Sequence, residues 1–85
     1  MQETRPNLHL IFLEEGLLLS KYPYDGWQQI QNTYPTYKAS LGPMTVGDVI
    51  FFFQDDYGDN DEQWPFSRRT IQDFLLSESV TIATD

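Results

Sequence analysis

Thr45-Val46-Gly47-Asp48-Val49-Ile50-Phe51-Phe52-Phe53-Gln54-Asp55-Asp56-Tyr57-Gly58-Asp59-Asn60-Asp61-Glu62 is the stretch on which the fold of this chain turns. Thr45 to Asp48 reads as a tight turn, and Val49 to Phe53 as a strand. That run is apolar on both faces, which marks a strand covered on both sides and so the middle of a sheet. Residues 54–63 then read as an acidic loop, with five carboxylates between Asp55 and Glu62. Trp64-Pro65-Phe66 returns the chain to the core, so the acidic segment is held at both ends.

Working outward, Leu8 to Leu13 is short, apolar and rich in strand formers. Glu14-Glu15-Gly16 follows, and glycine supplies the positive φ of a tight hairpin connection. Leu17 to Lys21 is the returning strand. A single helix over Leu8 to Ser20 competes, but its internal glycine costs about 1 kcal/mol and its apolar residues form no clean stripe. Tyr22-Pro23-Tyr24-Asp25-Gly26 is a turn in which Asp25 can cap a short helix, Trp27 to Thr33. Pro35 ends that helix, and Thr36 to Pro43 reads as a loop with some extended character. Beyond the acidic segment, Ser67 is an N-cap for a helix from Arg68 to about Glu78. Ile71, Phe74 and Leu75 form its apolar face, and Arg69 and Asp73 can pair at i, i+4. Ser79 to Ala83 alternates and reads as a last strand. Residues 1–7 are polar and read as frayed. The order β-β-α-β-α-β predicts one α+β domain over residues 1–85, with a small mixed or antiparallel sheet of about four strands and two helices packed on one face.

Composition narrows the function class. Thirteen acidic against five basic residues leave a formal net charge of −8. Phosphate recognition needs Lys and Arg, so direct binding to nucleic acid or anionic lipid is disfavoured, and a basic protein partner is favoured. The chain has no cysteine, which excludes disulfides and thiolate zinc sites. Aromatic content of 15% is that of a folded domain, not of an acidic tail. The N-terminus lacks the pattern of a signal peptide, and no apolar run approaches a membrane span, so the expected address is the cytoplasm. The initial Met is read as the start of a complete small gene product.

Little in the sequence points to catalysis. His9 is the one histidine, and it lies within an apolar strand pattern without partners at a recognisable spacing. The five serines lack a nucleophile context. Adjacent acids in a solvated loop have little to push their pKa values apart. The loop also fails as an EF-hand: from Asp55 the third position is Tyr57 and the sixth Asn60, and from Asp59 the sixth is Trp64. Neither a metal nor any other cofactor is expected.

The acidic segment is the candidate site. B-DNA carries about one charge per 1.7 Å of axis, and eight residues extend at most about 28 Å, so Asp55, Asp56, Asp59, Asp61 and Glu62 make a dense line of negative charge. Tyr57 and Trp64 flank them as aromatic interface anchors. Glu14 and Glu15 at the hairpin tip, with Glu78 and Asp85, extend the surface if the fold gathers them. The competing reading is a solvated loop that keeps an aromatic-rich protein soluble and protects a strand end. Arg68 and Arg69, poorly placed for the helix dipole, are expected to pair internally with the acids. Tyr22, Tyr24, Tyr34 and Tyr37 form a second cluster suited to protein contact.

Leu41-Gly42-Pro43-Met44-Thr45-Val46-Gly47-Asp48-Val49-Ile50 resembles the Ser-Met-Ser-Val-Gly-Asp-Val-Val motif of small, mostly uncharacterised proteins of phages, plasmids and other mobile elements. The resemblance covers about ten residues and departs at Gly42 and Pro43. It implies a turn that launches a strand and a mobile-element origin, and carries over no catalytic residue. Together these features predict an inhibitor or nucleic-acid-mimicking decoy acting on a basic surface of a nucleic-acid-handling host or defence protein. The alternative is an oligomeric assembly protein that uses the phenylalanine run or the tyrosine cluster as its interface.

Overall fold

The computed structural model describes residues 7–84. The frayed segment expected at the N-terminus therefore lies, apart from Asn7, outside the described residues. Strands β1 (Leu8–Leu13) and β2 (Gly16–Ser20) form the expected antiparallel hairpin, in register from His9↔Ser20 to Leu13↔Gly16. Gly16 takes φ +154°, and a Cβ there would stand 2.7 Å from Thr84 Oγ1. Two further strands complete an antiparallel sheet in the order β3-β1-β2-β4: β3 is Tyr37–Met44 and β4 is Thr81–Ala83. The fold is α+β, as expected, with a third helix.

Alternation along the two central strands builds two cores. Leu8, Leu10, Leu17 and Leu19 face one side, where they pack with Val49, Phe53, Trp64, Phe66, Ile71 and Phe74. Ile11 and Leu18 face the other side with Ile30, Tyr24, Tyr34 and Tyr37. Helix α1 (Trp27–Thr33) thus covers one face, while α2 (Val46–Tyr57) and α3 (Arg68–Leu76) cover the other. The expectation of helices on one face only is corrected. Both faces of β1 and β2 are covered, which is why their sequences are apolar almost throughout.

The larger correction concerns residues 46–57. The run expected as the central strand is helix α2. Its start is a capping box: Thr45 Oγ1 accepts from Asp48 N, and Asp48 Oδ2 accepts from Thr45 N, each at 3.1 Å. The turn that the motif resemblance assigned to a strand therefore launches a helix. Val46, Val49, Ile50, Phe53 and Tyr57 recur at i, i+3, i+4, i+7 and i+11, one stripe of a 3.6-residue period. Phe53 is fully buried among the rings of Phe52, Tyr57, Trp64 and Phe66, with centroids 5.8–6.3 Å away. Such burial contributes about 1.5–3 kcal/mol. Phe51, about 200° around the helix from Phe53, is 70% exposed. Gly58, at φ +93°, ends the helix, and its N–H donates to Gln54 O at 3.0 Å.

Among the described residues the sheet still has four strands, because residues 37–44, expected mostly as a loop with some extended character, supply the missing one. β3 is an edge strand, so Gly42 and Pro43 are tolerated within it. Gly42 sits where the β1–β3 register slips between Leu8 and Leu10. Its φ is +135°, and a Cβ would stand 2.7 Å from the Leu8 carbonyl oxygen, so only glycine fits. Asp25 does not cap α1; its N-cap is Gly26, with no side-chain cap bond. α3 begins as expected, with Ser67 Oγ accepting from Thr70 N at 3.2 Å. At its C-terminal end Lys21 Nζ, just past β2, donates to Phe74 O and to the C-cap Ser77 O at 2.9 and 3.0 Å.

Candidate functional site

The acidic segment is not one loop. Asp55 and Asp56 lie on the last turn of α2, Asp59 follows Gly58, and Asp61–Gln63 is a single 3₁₀ turn. Coiling replaces the expected line of charge with a compact patch, because a helix rises only 1.5 Å per residue.

Core contacts fix the segment from below. Trp64, expected as an interface anchor, is only 6% exposed. Its Nε1 donates to Gly58 O at 2.8 Å, and the Arg68 guanidinium stacks 4.5 Å above its ring. Asp61 is also engaged internally: its Oδ2 accepts from Arg68 N at 2.9 Å and stands 4.0 Å from Arg68 Nη1. A carboxylate there sits at the N-terminus of α3, where the helix dipole favours it. The internal pairing expected of Arg68 is therefore present, and Arg69 stands 3.8 Å from Asp73. Trp64 and Asp61 position the patch from within. Gln54 Nε2 donates to Asp59 Oδ1 at 2.9 Å, and Asn60 Oδ1 accepts from Glu62 N at 3.1 Å.

Asp55, Asp56, Asp59 and Glu62 are exposed. Among the described residues none of them forms an ion pair. Asp55 and Asp56 are also in the wrong place for helix stability, since the C-terminal end of a helix carries partial negative charge. No basic residue in the last turn of α2 offsets them.

The fold brings the hairpin tip to this end of the molecule. Glu14, Glu15, Phe12, Lys38, Tyr57 and Pro65 help line a cleft of about 380 Å³. Tyr57 is 42% exposed and connects the hairpin carboxylates to the patch. Glu15 Oε1 accepts from Thr36 Oγ1 at 2.6 Å, which holds the tip in place. Glu78 lies beyond α3 and outside this cleft, and Asp85 is outside the described residues. Phe51 shares a helix face with Asp48 and Asp55, three residues before and four after it. Sequence reasoning offered the phenylalanine run as an interface, but as part of a strand, and did not single out Phe51 as its exposed ring. The Thr45-x-x-Asp48 capping signal ahead of the apolar run would have located it.

His9 is 6% exposed, stands edge-on to Tyr24 at a centroid distance of 5.1 Å, and its Nδ1 has no partner among the described residues. Burial lowers its pKa from the usual histidine value. Among the described residues, no three His, Cys, Asp or Glu side chains converge as metal ligands, and no helix is long and apolar enough to cross a membrane. No protein-family model, curated protein or solved structure matches this chain.

Proposed function

We propose that this chain is a protein-binding protein whose acidic patch docks on a basic surface of a nucleic-acid-handling partner and competes there with nucleic acid, as an inhibitor or decoy. The carrying observation is the position of Asp55 and Asp56. They stand exposed at the C-terminal end of α2, with no basic residue in its last turn. A charge kept where it opposes its own helix suits a role in contact rather than in folding. Glu14 and Glu15 widen the same surface through the Tyr57 cleft. Tyr57 and Phe51 supply aromatic area within a field that steers basic partners. A mobile-element origin belongs to the same proposal.

The test replaces Asp55, Asp56 and Asp59 with Asn and Glu62 with Gln, and leaves Asp61 in place because it accepts from Arg68 N at the start of α3. Each form is used to capture proteins from a cell lysate at physiological salt, followed by elution with duplex DNA. The proposal expects a basic nucleic-acid-binding protein that the wild-type chain retains, the variant loses and DNA displaces. Equal capture by both forms, or capture that DNA does not displace, would sink it. The exposure of Phe51 favours a second reading, an assembly protein that pairs with copies of itself. A mass in solution of one chain at high micromolar concentration excludes that reading.

A further inference from the structure

We propose that the outer edge of β4 is a β-augmentation site that accepts an extended segment of a partner protein, with basic and apolar residues alternating along it. β4 is the terminal strand of the sheet. Val80 O accepts from Lys21 N at 2.8 Å, and Thr84 N donates to Leu17 O at 2.9 Å. Ile82 lies opposite Leu19 in the same ladder. Even-numbered residues thus commit their backbone groups to β2. By the two-residue period, the N–H and C=O groups of Thr81 and Ala83 point away from the sheet. They offer one full repeat of ladder bonds to an incoming chain.

The two edges of the sheet differ in protection. Sheet edges are blunted by short length, lysines, prolines and register breaks, and β4, at three residues, has only the first of these. β3 carries Lys38, Pro43 and two register shifts against β1. Residues 80–84 contain no charged residue and no proline, and the β2–β4 register is unbroken. Among the described residues no element pairs with the outer side of β4.

A cleft flanks β4 on each face of the sheet, and Thr81 lines both. The cleft on the α1 face, about 260 Å³, has Tyr22, Tyr24 and Tyr34 in its walls. The Tyr22 and Tyr24 rings lie 4.8 Å apart, and the Tyr24 and Tyr34 hydroxyls bond at 3.2 Å. The cleft on the α3 face, about 320 Å³, is lined by Phe74 and Ile82, with Asp73 and Ser77 also in its lining. Alternate side chains of an added strand fall into the two clefts in turn, and this is how such sites read sequence. Aromatic faces and hydroxyl oxygens suit an arginine or lysine on the tyrosine side. The apolar wall suits a valine or leucine on the other. The net charge of −8 favours a basic segment, and the nearby Lys21 ammonium is already bound to two carbonyls.

The test titrates the ¹⁵N-labelled full chain with the capped peptide Arg-Val-Arg-Val-Arg, followed by amide NMR and hydrogen exchange. Exchange at Thr81 and Ala83 is expected to slow at least tenfold at saturation, with shifts clustered on β4 and the three tyrosines. The Glu-Val-Glu-Val-Glu peptide is expected to bind at least tenfold more weakly. Ala83→Pro removes an outward N–H while leaving the β2 bonds, and is expected to weaken binding at least tenfold. If that variant does not fold, a peptide N-methylated on the edge facing β4 makes the same test on the wild-type chain. Equal binding of the N-methylated or the glutamate peptide would overturn the proposal. So would shifts confined to residues 55–62, or full protection of Thr81 and Ala83 in the free chain, which would mean that a second copy or the chain's own first residues already occupy the edge.

Discussion

Replacing Asp55 and Asp56 together with Asn is expected to stabilise the protein while abolishing partner capture. Both carboxylates occupy the last turn of α2, against the partial negative charge of its C-terminal carbonyls. A misplaced surface charge of this kind costs about 0.3–1 kcal/mol, so two cost about 0.6–2 kcal/mol if they act independently. For a domain of this size, 1 kcal/mol moves the thermal midpoint by about 4–8 °C, which gives an expected rise of about 2–16 °C. Asn conserves shape, and neither carboxylate has an ion-pair partner among the described residues whose loss would offset the gain. The assay is thermal unfolding followed by far-UV circular dichroism in 10 mM and 1 M salt. The gain should be largest at low salt and shrink at 1 M, where the Debye length falls to about 3 Å. Asp73→Asn, which touches only an exposed i, i+4 pair with Arg69, serves as the control and should move the stability by less than about 0.5 kcal/mol. An unchanged or lowered midpoint at low salt would refute the reasoning that these charges are held against the stability of their own helix.

Other outcomes follow from the same structure. Phe53→Ala is expected to cost about 3–5 kcal/mol, a large share of the roughly 4–13 kcal/mol that 85 residues supply, whereas Phe51→Ala should cost under about 0.5 kcal/mol. Urea midpoints measure both, and similar losses at the two positions would restore the strand reading, in which they share a face. Thr45→Ala removes the N-cap oxygen of α2 and is expected to cost about 1 kcal/mol by the same measurement. His9 should make stability fall as pH drops below about 6.5. The unfolded chain then takes up a proton that the buried imidazole, with its lowered pKa, does not, and the contribution vanishes above that pH. With one proton at stake the slope cannot exceed about 1.4 kcal/mol per pH unit. Urea midpoints between pH 5 and 7.5 should show this slope in the wild type relative to His9→Phe, and parallel profiles would contradict it. Gly42→Ala is expected to destabilise strongly, since its Cβ would meet the Leu8 carbonyl oxygen at 2.7 Å. Unfolding in urea that matches the wild type would show that β3 can shift there.

Local codes were legible in the amino-acid order. The Glu14-Glu15-Gly16 connection, the Ser67 cap and the Ile71, Phe74, Leu75 face each specify their own geometry within a few residues, and each formed. The rule that an almost wholly apolar run marks a central strand was sound, but it belonged to β1 and β2, not to residues 49–53. For α2 the deciding signal was present in the Thr45–Asp48 capping box and the 46, 49, 50, 53, 57 stripe. Three consecutive phenylalanines concealed it, because short apolar runs read alike in strand and helix.

The sequence by itself determined the hairpin, the α3 cap and face, the α+β class and the acidic character of the chain. These depend on near neighbours and on composition. Only the tertiary structure decided the rest. Residues 37–44, without a regular apolar pattern and interrupted by Gly42-Pro43, became a strand because the edge of β1 supplied backbone partners. Trp64 and Asp61 turned inward because Phe53, Gly58 and Arg68 were waiting for them. Glu14 and Glu15 met Tyr57 across more than forty residues of chain because the β1–β2 turn and the end of α2 close on the same corner of the sheet. Contacts of that kind are fixed by the packing of one element on another, and so the shape of the acidic patch emerges only once the chain has folded.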